Sequence, residues 1–356
     1  MINIKSLIIL LVLVIPMSIA GYMFYIQQNG TATSVQDALQ DNKVGSMMSG
    51  LLGNREIHPL SIEALRERTY EGSEIVIEQE LSAGSNYEMF LTSYQSEGLK
   101  IYSLLTVPTG TKPQDGWPVI IFNHGYIPPE QYSTTQRYEA YVDYFAGNGY
   151  VVFKPDYRGH GKSEGLPEGA YFSPSYTLDV LNAVSSVKKL SYVDPEKIGM
   201  WGHSMGGSIT LKAMVATKDV KAGVIWAGVV GSYEDIFYNW HRKNAWKPSQ
   251  REINSYRPSR QSFVEKYGEP KDNPEFWNAL SATTYVSDIS GPVQLHHGTN
   301  DGEVPIEFSQ KLNDIMTKKG IQVEFYTYEG ADHNLSGNAF GTAMKRSVVF
   351  FDKYLK

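Results

Sequence analysis

The 356-residue chain contains no cysteine. That absence excludes a disulfide framework, a thiolate nucleophile and a lipid-modified cysteine, and an oxidising compartment would add nothing to its stability. Excess positive charge is also missing: 32 lysines and arginines stand against 38 acids, a net charge of −6. Nucleic-acid binding needs a basic footprint, so no nucleic-acid partner is expected. There is no internal repeat and no low-complexity tract. The only adjacent histidines, His296 and His297, lack a third ligand at useful spacing, so no metal site is expected.

Charge is absent altogether from one stretch. Leu7 to Ile26 carries none over 20 residues, near the length needed to cross a bilayer, and no lysine or arginine occurs between Lys5 and Lys43. Positive charge on the near side alone predicts a membrane anchor with the rest of the chain facing the extracytoplasmic side. The alternative is a signal peptide: Pro16 interrupts the apolar core, and Ser18-Ile19-Ala20 resembles a cleavage site, which would release a secreted protein after Ala20. Apolar and aromatic residues continue through Gly21 to Ile26, which favours the uncleaved anchor. The organisation expected is an anchor or signal at 1–28, a polar tether at 29–60 and a catalytic domain at 61–356.

What is present is led by Gly202-His203-Ser204-Met205-Gly206, a G-x-S-x-G pentapeptide after the strand-like run Lys197 to Trp201. Such a serine sits on a sharp strand-to-helix turn, with glycines where side chains would clash. The helix expected at Gly207 to Thr217 would aim its positive end at the same spot. A serine hydroxyl needs a base and the base needs an orienting carboxylate. Both follow in chain order, each in a loop after a strand: Asp301 after Pro292 to His296, and His333 after Val323 to Tyr328. Asp332 is a rival acid, but it is the immediate neighbour of His333, and adjacent side chains in such a loop seldom pair. For the oxyanion, one donor is the backbone N–H of Met205. The other is assigned to the backbone N–H of Tyr126, with its phenol as an extra donor, in the loop after the strand Val119 to Asn123. His124 reads as a buried, hydrogen-bonded loop residue.

With these residues placed, the chain resembles the α/β-hydrolase superfamily, in particular its prolyl-oligopeptidase-like and dienelactone-hydrolase-like branches. The resemblance rests on Asn123-His124-Gly125-Tyr126, Asp156 to Ser163, Gly202 to Gly207, His297-Gly298 with Asp301 and Val304-Pro305, and Gly330 with His333. It implies an α/β fold with a mostly parallel, doubly wound sheet, the triad Ser204, Asp301 and His333, and no cofactor. It also implies that Asp156 to Ser163 is a structural loop, so Arg158 and His160 are not catalytic. Two departures bear on substrate. Dienelactone hydrolases use a cysteine, which this chain lacks. Prolyl oligopeptidases carry a β-propeller, and the roughly fifty residues between the hydrophobic N-terminus and the first strands are too few for one. The expected substrate is therefore a small-molecule ester cleaved through an acyl-enzyme, with a short peptide as the alternative. A peptidase needs acids to hold a free amine, and Glu234 and Asp235 are the nearest candidates. A non-catalytic surface binding module on the same scaffold is the third reading.

The region 232–287 reads as an inserted helical lid. It carries ten aromatic residues from Tyr233 to Trp277, and six cations (Arg242, Lys243, Lys247, Arg251, Arg257, Arg260) against Glu252 between His241 and Arg260. On one reading the aromatics line the substrate pocket and the cations attract anionic substrates or lipid head groups. On the other, the lid buries its aromatics in a core of its own and its charges are solvated.

Overall fold

The computed structural model describes residues 57–243, 247–254 and 259–356, without the side chains of Arg251 and Asn254. The apolar segment Leu7 to Ile26, most of the tether, Trp246, Tyr256 and Arg257 lie outside the described residues.

Nine strands form one sheet: β1 (Val76–Leu81), β2 (Tyr87–Ser96), β3 (Leu99–Pro108), β4 (Trp117–Asn123), β5 (Val151–Pro155), β6 (Val193–His203), β7 (Val220–Trp226), β8 (Val293–Gly298) and β9 (Val323–Tyr328). Their order is β1-β2-β3-β5-β4-β6-β7-β8-β9. The first three run antiparallel, β5 joins β3 antiparallel, and every pairing from β5 through β4 to β9 is parallel. Parallel strands are covered on both faces, so their residues feed two cores in alternation. In β4, Val119 and Ile121 enter one core while Ile120 and Phe122 enter the other, and all four are fully buried. Each such side chain contributes on the order of 1.5–3 kcal/mol by leaving water.

The first core is closed by the helices Ser175–Val187, Met205–Ala216 and Ile306–Lys318, through Val180, Ile209 and Leu312 among others. The second is closed by Glu139–Gly147 and Asn338–Leu355, through Phe145, Met344 and Phe351. The sheet is therefore doubly wound, as the sequence predicts. The helix after β6 begins at Met205 rather than at Gly207. Gly206 and Gly207 look like helix breakers in sequence, yet at Gly206 a Cβ would lie 2.0 Å from Asn123 O and at Gly207 2.7 Å from Gly228 Cα. Close approach between helix and neighbouring backbone requires glycine at both positions.

The loop after β5 is structural. Arg158 is 7% exposed and its guanidinium reaches Asp179 Oδ1 at 2.7 Å and Glu97 Oε2 at 2.8 Å, while His160 is 1% exposed. Among the described residues, no helix is long and apolar enough to cross a membrane and no cluster of acids and histidines could hold a metal.

Candidate active site

Ser204 sits between β6 and the helix Met205–Ala216 with φ 55° and ψ −116°. A non-glycine residue in that region stores roughly 1–3 kcal/mol and persists only where its surroundings dictate the conformation. Here they do: Ser204 N–H donates to Trp226 O at 2.9 Å, and Ser204 O accepts from Val229 N–H at 3.0 Å. A Cβ on Gly202 would lie 2.4 Å from both Gly206 O and Thr210 Oγ1, so the turn closes only without one. Met205 N–H opens the helix and has no acceptor one turn back.

At the ends of β8 and β9 the structure brings Asp301 and His333 together. His333 Nδ1 lies 2.7 Å from Asp301 Oδ2, which fixes Nδ1 as the protonated nitrogen because a carboxylate only accepts. Asp332 is turned away to accept from Ser336 N–H at 2.8 Å. The sequence gives His297 no part in the site, yet its Nε2 lies 3.1 Å from Asp301 Oδ2 and 3.0 Å from Val304 O. Two acceptors around Nε2 place the proton there, leaving Nδ1 to accept from Ser309 Oγ at 2.8 Å. The other oxygen of Asp301, Oδ1, accepts from the N–H groups of Glu303 and Val304 at 2.8 and 3.0 Å. Burial alone would raise the Asp301 pKa. The hydrogen bonds from His297 and His333, the His333 charge and the Val304 N–H outweigh it and hold the carboxyl well below the usual range.

Ser204 and His333 both line a cavity of about 540 Å³, shared with Tyr126, Tyr138 and Tyr141. No hydrogen bond joins the Ser204 hydroxyl to the His333 ring; such contacts commonly tighten only around a bound substrate. A chain of hydrogen bonds that the sequence gives no sign of braces this cavity. Gly125 N–H donates to Tyr138 Oη at 2.9 Å, and Tyr138 Oη lies 2.7 Å from His203 Nδ1. His203 Nε2 lies 3.0 Å from His333 O, a carbonyl, so Nε2 donates and Nδ1 accepts the phenol proton. Burial pushes the His203 ring down to about 3, which keeps it neutral and preserves this tautomer. The loops after β4 and β9 and the end of β6 are thereby tied at one point.

Tyr126 lines the cavity, but its phenol donates to Glu252 Oε2 at 2.6 Å. Its single proton is therefore committed to the lid, and the phenol is not an extra donor for an oxyanion in this state. His124 is fully buried between carbonyls, with Nδ1 2.7 Å from Gly125 O, as the sequence predicts.

The lid aromatics resolve in favour of the second reading. Tyr233, Phe237, Phe263 and Trp277 pack with Leu280 into a core of their own rather than lining the cavity. Trp240 packs edge-on against Tyr171 and donates its indole N–H to Glu303 O at 2.8 Å. Of the described lid cations only Arg242 lines the cavity, where it is joined by Arg137 from outside the lid. Glu234 is exposed, while Asp235 caps the helix Tyr233–Tyr238 and pairs with Lys311. Neither lines the cavity; the acid that does is Glu303.

Comparison with known proteins agrees with this geometry. The Bacillus subtilis protein described as uncharacterized peptidase YuxL is 25% identical over 245 residues, covering 67% of this chain and 34% of its own length. Uncharacterized peptidase YtmA of the same organism is 24% identical over 256 residues, 71% of this chain and 88% of that protein. The chain thus spans about a third of one relative and most of the other. Among solved structures, the acetyl xylan esterase from Paenibacillus sp. R4 superposes with a TM-score of 0.60 at 18% identity, covering 83% of this chain and 92% of that one, which shows the α/β-hydrolase fold. Residues 136–356 match the model of the prolyl oligopeptidase family. The chain belongs to the prolyl oligopeptidase family, whose members are serine hydrolases of the α/β-hydrolase fold.

Proposed function

We propose that this protein hydrolyses carboxylic esters through an acyl-enzyme, with Ser204 as nucleophile, His333 as general base and Asp301 as its orienting acid. The observation that carries the reading is the Asp301–His333 hydrogen bond at the rim of the cavity that Ser204 lines from a strained elbow. Ser204 Oγ attacks the acyl carbonyl carbon while His333 Nε2 takes the hydroxyl proton. Asp301 holds Nδ1–H and stabilises the imidazolium. The developing oxyanion accepts from the N–H groups of Met205 and Tyr126; removing one such donor typically costs on the order of a hundred- to a thousandfold in turnover. His333 then protonates the leaving alkoxide, and water, deprotonated by the same ring, releases the acid and restores Ser204 Oγ–H. No cofactor takes part.

The second reading is a peptidase acting on short peptides, supported by the names of the sequence relatives and by Glu303, an acid among the residues that line the cavity. A panel of aryl esters and aminoacyl amides separates the two. Ester turnover exceeding amide turnover is expected; activity on amides with every ester inert would replace the first reading with the second.

The uncharged segment Leu7 to Ile26 supports a further element of the proposal, a membrane-anchored enzyme facing the extracytoplasmic side. Mass spectrometry of the mature protein is expected to find an uncleaved N-terminus; a start at Gly21 would make it a secreted protein instead.

A further inference from the structure

Two arginines line the cavity with Ser204, and no carboxylate among the described residues is paired with either. Arg137 enters from the loop before the helix Glu139–Gly147, and Arg242 from the lid. Arg66, Arg68 and Arg158 each reach a carboxylate at 2.7–3.1 Å. Arg137 and Arg242 reach none among the described residues, even though acids outnumber lysines and arginines in this chain by 38 to 32. Arg242 lies 4.2 Å above the Trp240 ring, and the Trp240 indole is itself anchored on Glu303 O at 2.8 Å. A guanidinium stacked in this way keeps its edge N–H groups free to donate in the plane of the fork.

We propose that Arg137 and Arg242 form a carboxylate-binding subsite, so that the preferred substrate carries a carboxylate in addition to the bond that Ser204 cleaves. The proposal rests on the hydrolase reading for what Ser204 does, but not for what the arginines bind. Planar guanidinium groups match the two oxygens of a carboxylate, which is why paired arginines select that group over a neutral isostere. A cavity of about 540 Å³ is of the size that takes a small ligand whole, so the carboxylate and the scissile bond belong to one compact molecule. Glu303 lines the same cavity and opposes the anion, leaving one net positive charge from these three side chains. Its removal is therefore expected to strengthen anion binding. The carboxylate can lie on either side of the scissile bond, on the acyl group or on the leaving group.

The test compares charged and neutral ester pairs in wild type, Arg137→Gln, Arg242→Gln and Glu303→Gln. 4-Nitrophenyl hemisuccinate against 4-nitrophenyl butyrate reads the acyl side; 4-carboxyphenyl acetate against phenyl acetate reads the leaving-group side. In at least one pair, the charged-to-neutral ratio of kcat/KM is expected to fall roughly ten- to a hundredfold in each arginine variant, the usual scale for a lost charged hydrogen bond, and to rise in Glu303→Gln. Ratios unmoved in both pairs would overturn the subsite. A second readout does not depend on turnover: glutarate titrated into Ser204→Ala, followed by tryptophan fluorescence because Trp240 stacks on Arg242. A saturable response abolished by Arg242→Gln supports the subsite even if no ester or amide is cleaved, an outcome that would sink only the hydrolase reading. Where no ester is turned over, the absence of a saturable response rejects the subsite itself.

Discussion

His297 Nε2 stands 3.1 Å from Asp301 Oδ2, the same oxygen that His333 Nδ1 reaches at 2.7 Å. With the Glu303 and Val304 N–H groups on Oδ1, every face of the carboxylate meets a donor, so Asp301 is fixed in one orientation and stays ionised. Asp301→Asn is expected to lower kcat by on the order of ten-thousandfold, because an amide NH₂ facing Nδ1 imposes the wrong tautomer on His333. His297→Phe keeps the ring shape and removes only one donor, so a fall of roughly tenfold is expected. Steady-state kinetics on one aryl ester ranks the two; equal losses would show that His297 does more than support the acid.

Tyr138 is the hinge of the hydrogen-bond chain through Gly125, His203 and the His333 backbone. Tyr138→Phe removes one hydroxyl and strands two partners, a buried N–H and a buried ring nitrogen. Stability should fall by about 1–3 kcal/mol per group left unsatisfied. Turnover should fall about tenfold with KM little changed, since the loops carrying Ser204 and His333 lose their common brace. Denaturant unfolding and kinetics on the same sample check both; a stability loss with unchanged kcat would make the chain purely structural.

Two glycines in helices should respond in opposite directions to alanine. At Gly206 a Cβ would stand 2.0 Å from Asn123 O, whereas at Gly341, in the exposed part of the terminal helix, it meets nothing within 4 Å. Gly206→Ala is expected to cost several kcal/mol or to prevent folding, and Gly341→Ala to stabilise by roughly 0.5–1 kcal/mol through helix propensity. Thermal unfolding of the two variants measures the contrast.

His296 links pH to stability. It is fully buried, with Nδ1 2.7 Å from Tyr328 Oη and Nε2 2.6 Å from Gln294 Oε1, and burial, aided by the Arg346 charge, pushes its ring down to about 3. The unfolded chain has this histidine near its ordinary value of about 6.5. Between those two values unfolding takes up a proton, so the contribution of His296 is complete above pH 6.5 and is lost as pH falls toward 3. Burial raises the Asp156 carboxyl above the usual carboxylate range, which acts in the opposite direction, so a comparison of variants isolates the histidine. The unfolding free energy of wild type should fall more steeply below pH 6.5 than that of His296→Gln. Parallel curves would contradict the linkage.

Much of this was legible in the sequence because it is local. The apolar runs that became β4, β6, β8 and β9 are contiguous, and Ser204, Asp301 and His333 each follow one of them directly. The glycines of the elbow were legible for the same reason, although they disguised where the helix begins. His297, Tyr138 and the lid were not. His297 matters because four residues later the chain turns back and sets Asp301 against its ring, a geometry that a loop's composition does not specify. Tyr138 meets His203 across 65 residues of chain, and no spacing encodes that contact. From Tyr233 to Trp277 the lid offers ten aromatic side chains, and aromaticity alone does not say whether a ring faces a substrate or another ring. Contacts among Tyr233, Phe237, Phe263 and Trp277 decided it. Cations in the lid hid the relevant pair, since among the described ones only Arg242 lines the cavity and its companion Arg137 lies about a hundred residues away in the chain.

The central claim is that the Ser204 hydroxyl is a nucleophile activated by His333. The most direct measurement is labelling with a fluorophosphonate, which forms a covalent adduct only with an activated serine, followed by peptide mass spectrometry. The account predicts a single adduct on Ser204 in the folded wild-type protein, lost in Ser204→Ala and much slowed in His333→Ala. No adduct on the wild type, or an undiminished adduct in Ser204→Ala, would contradict it.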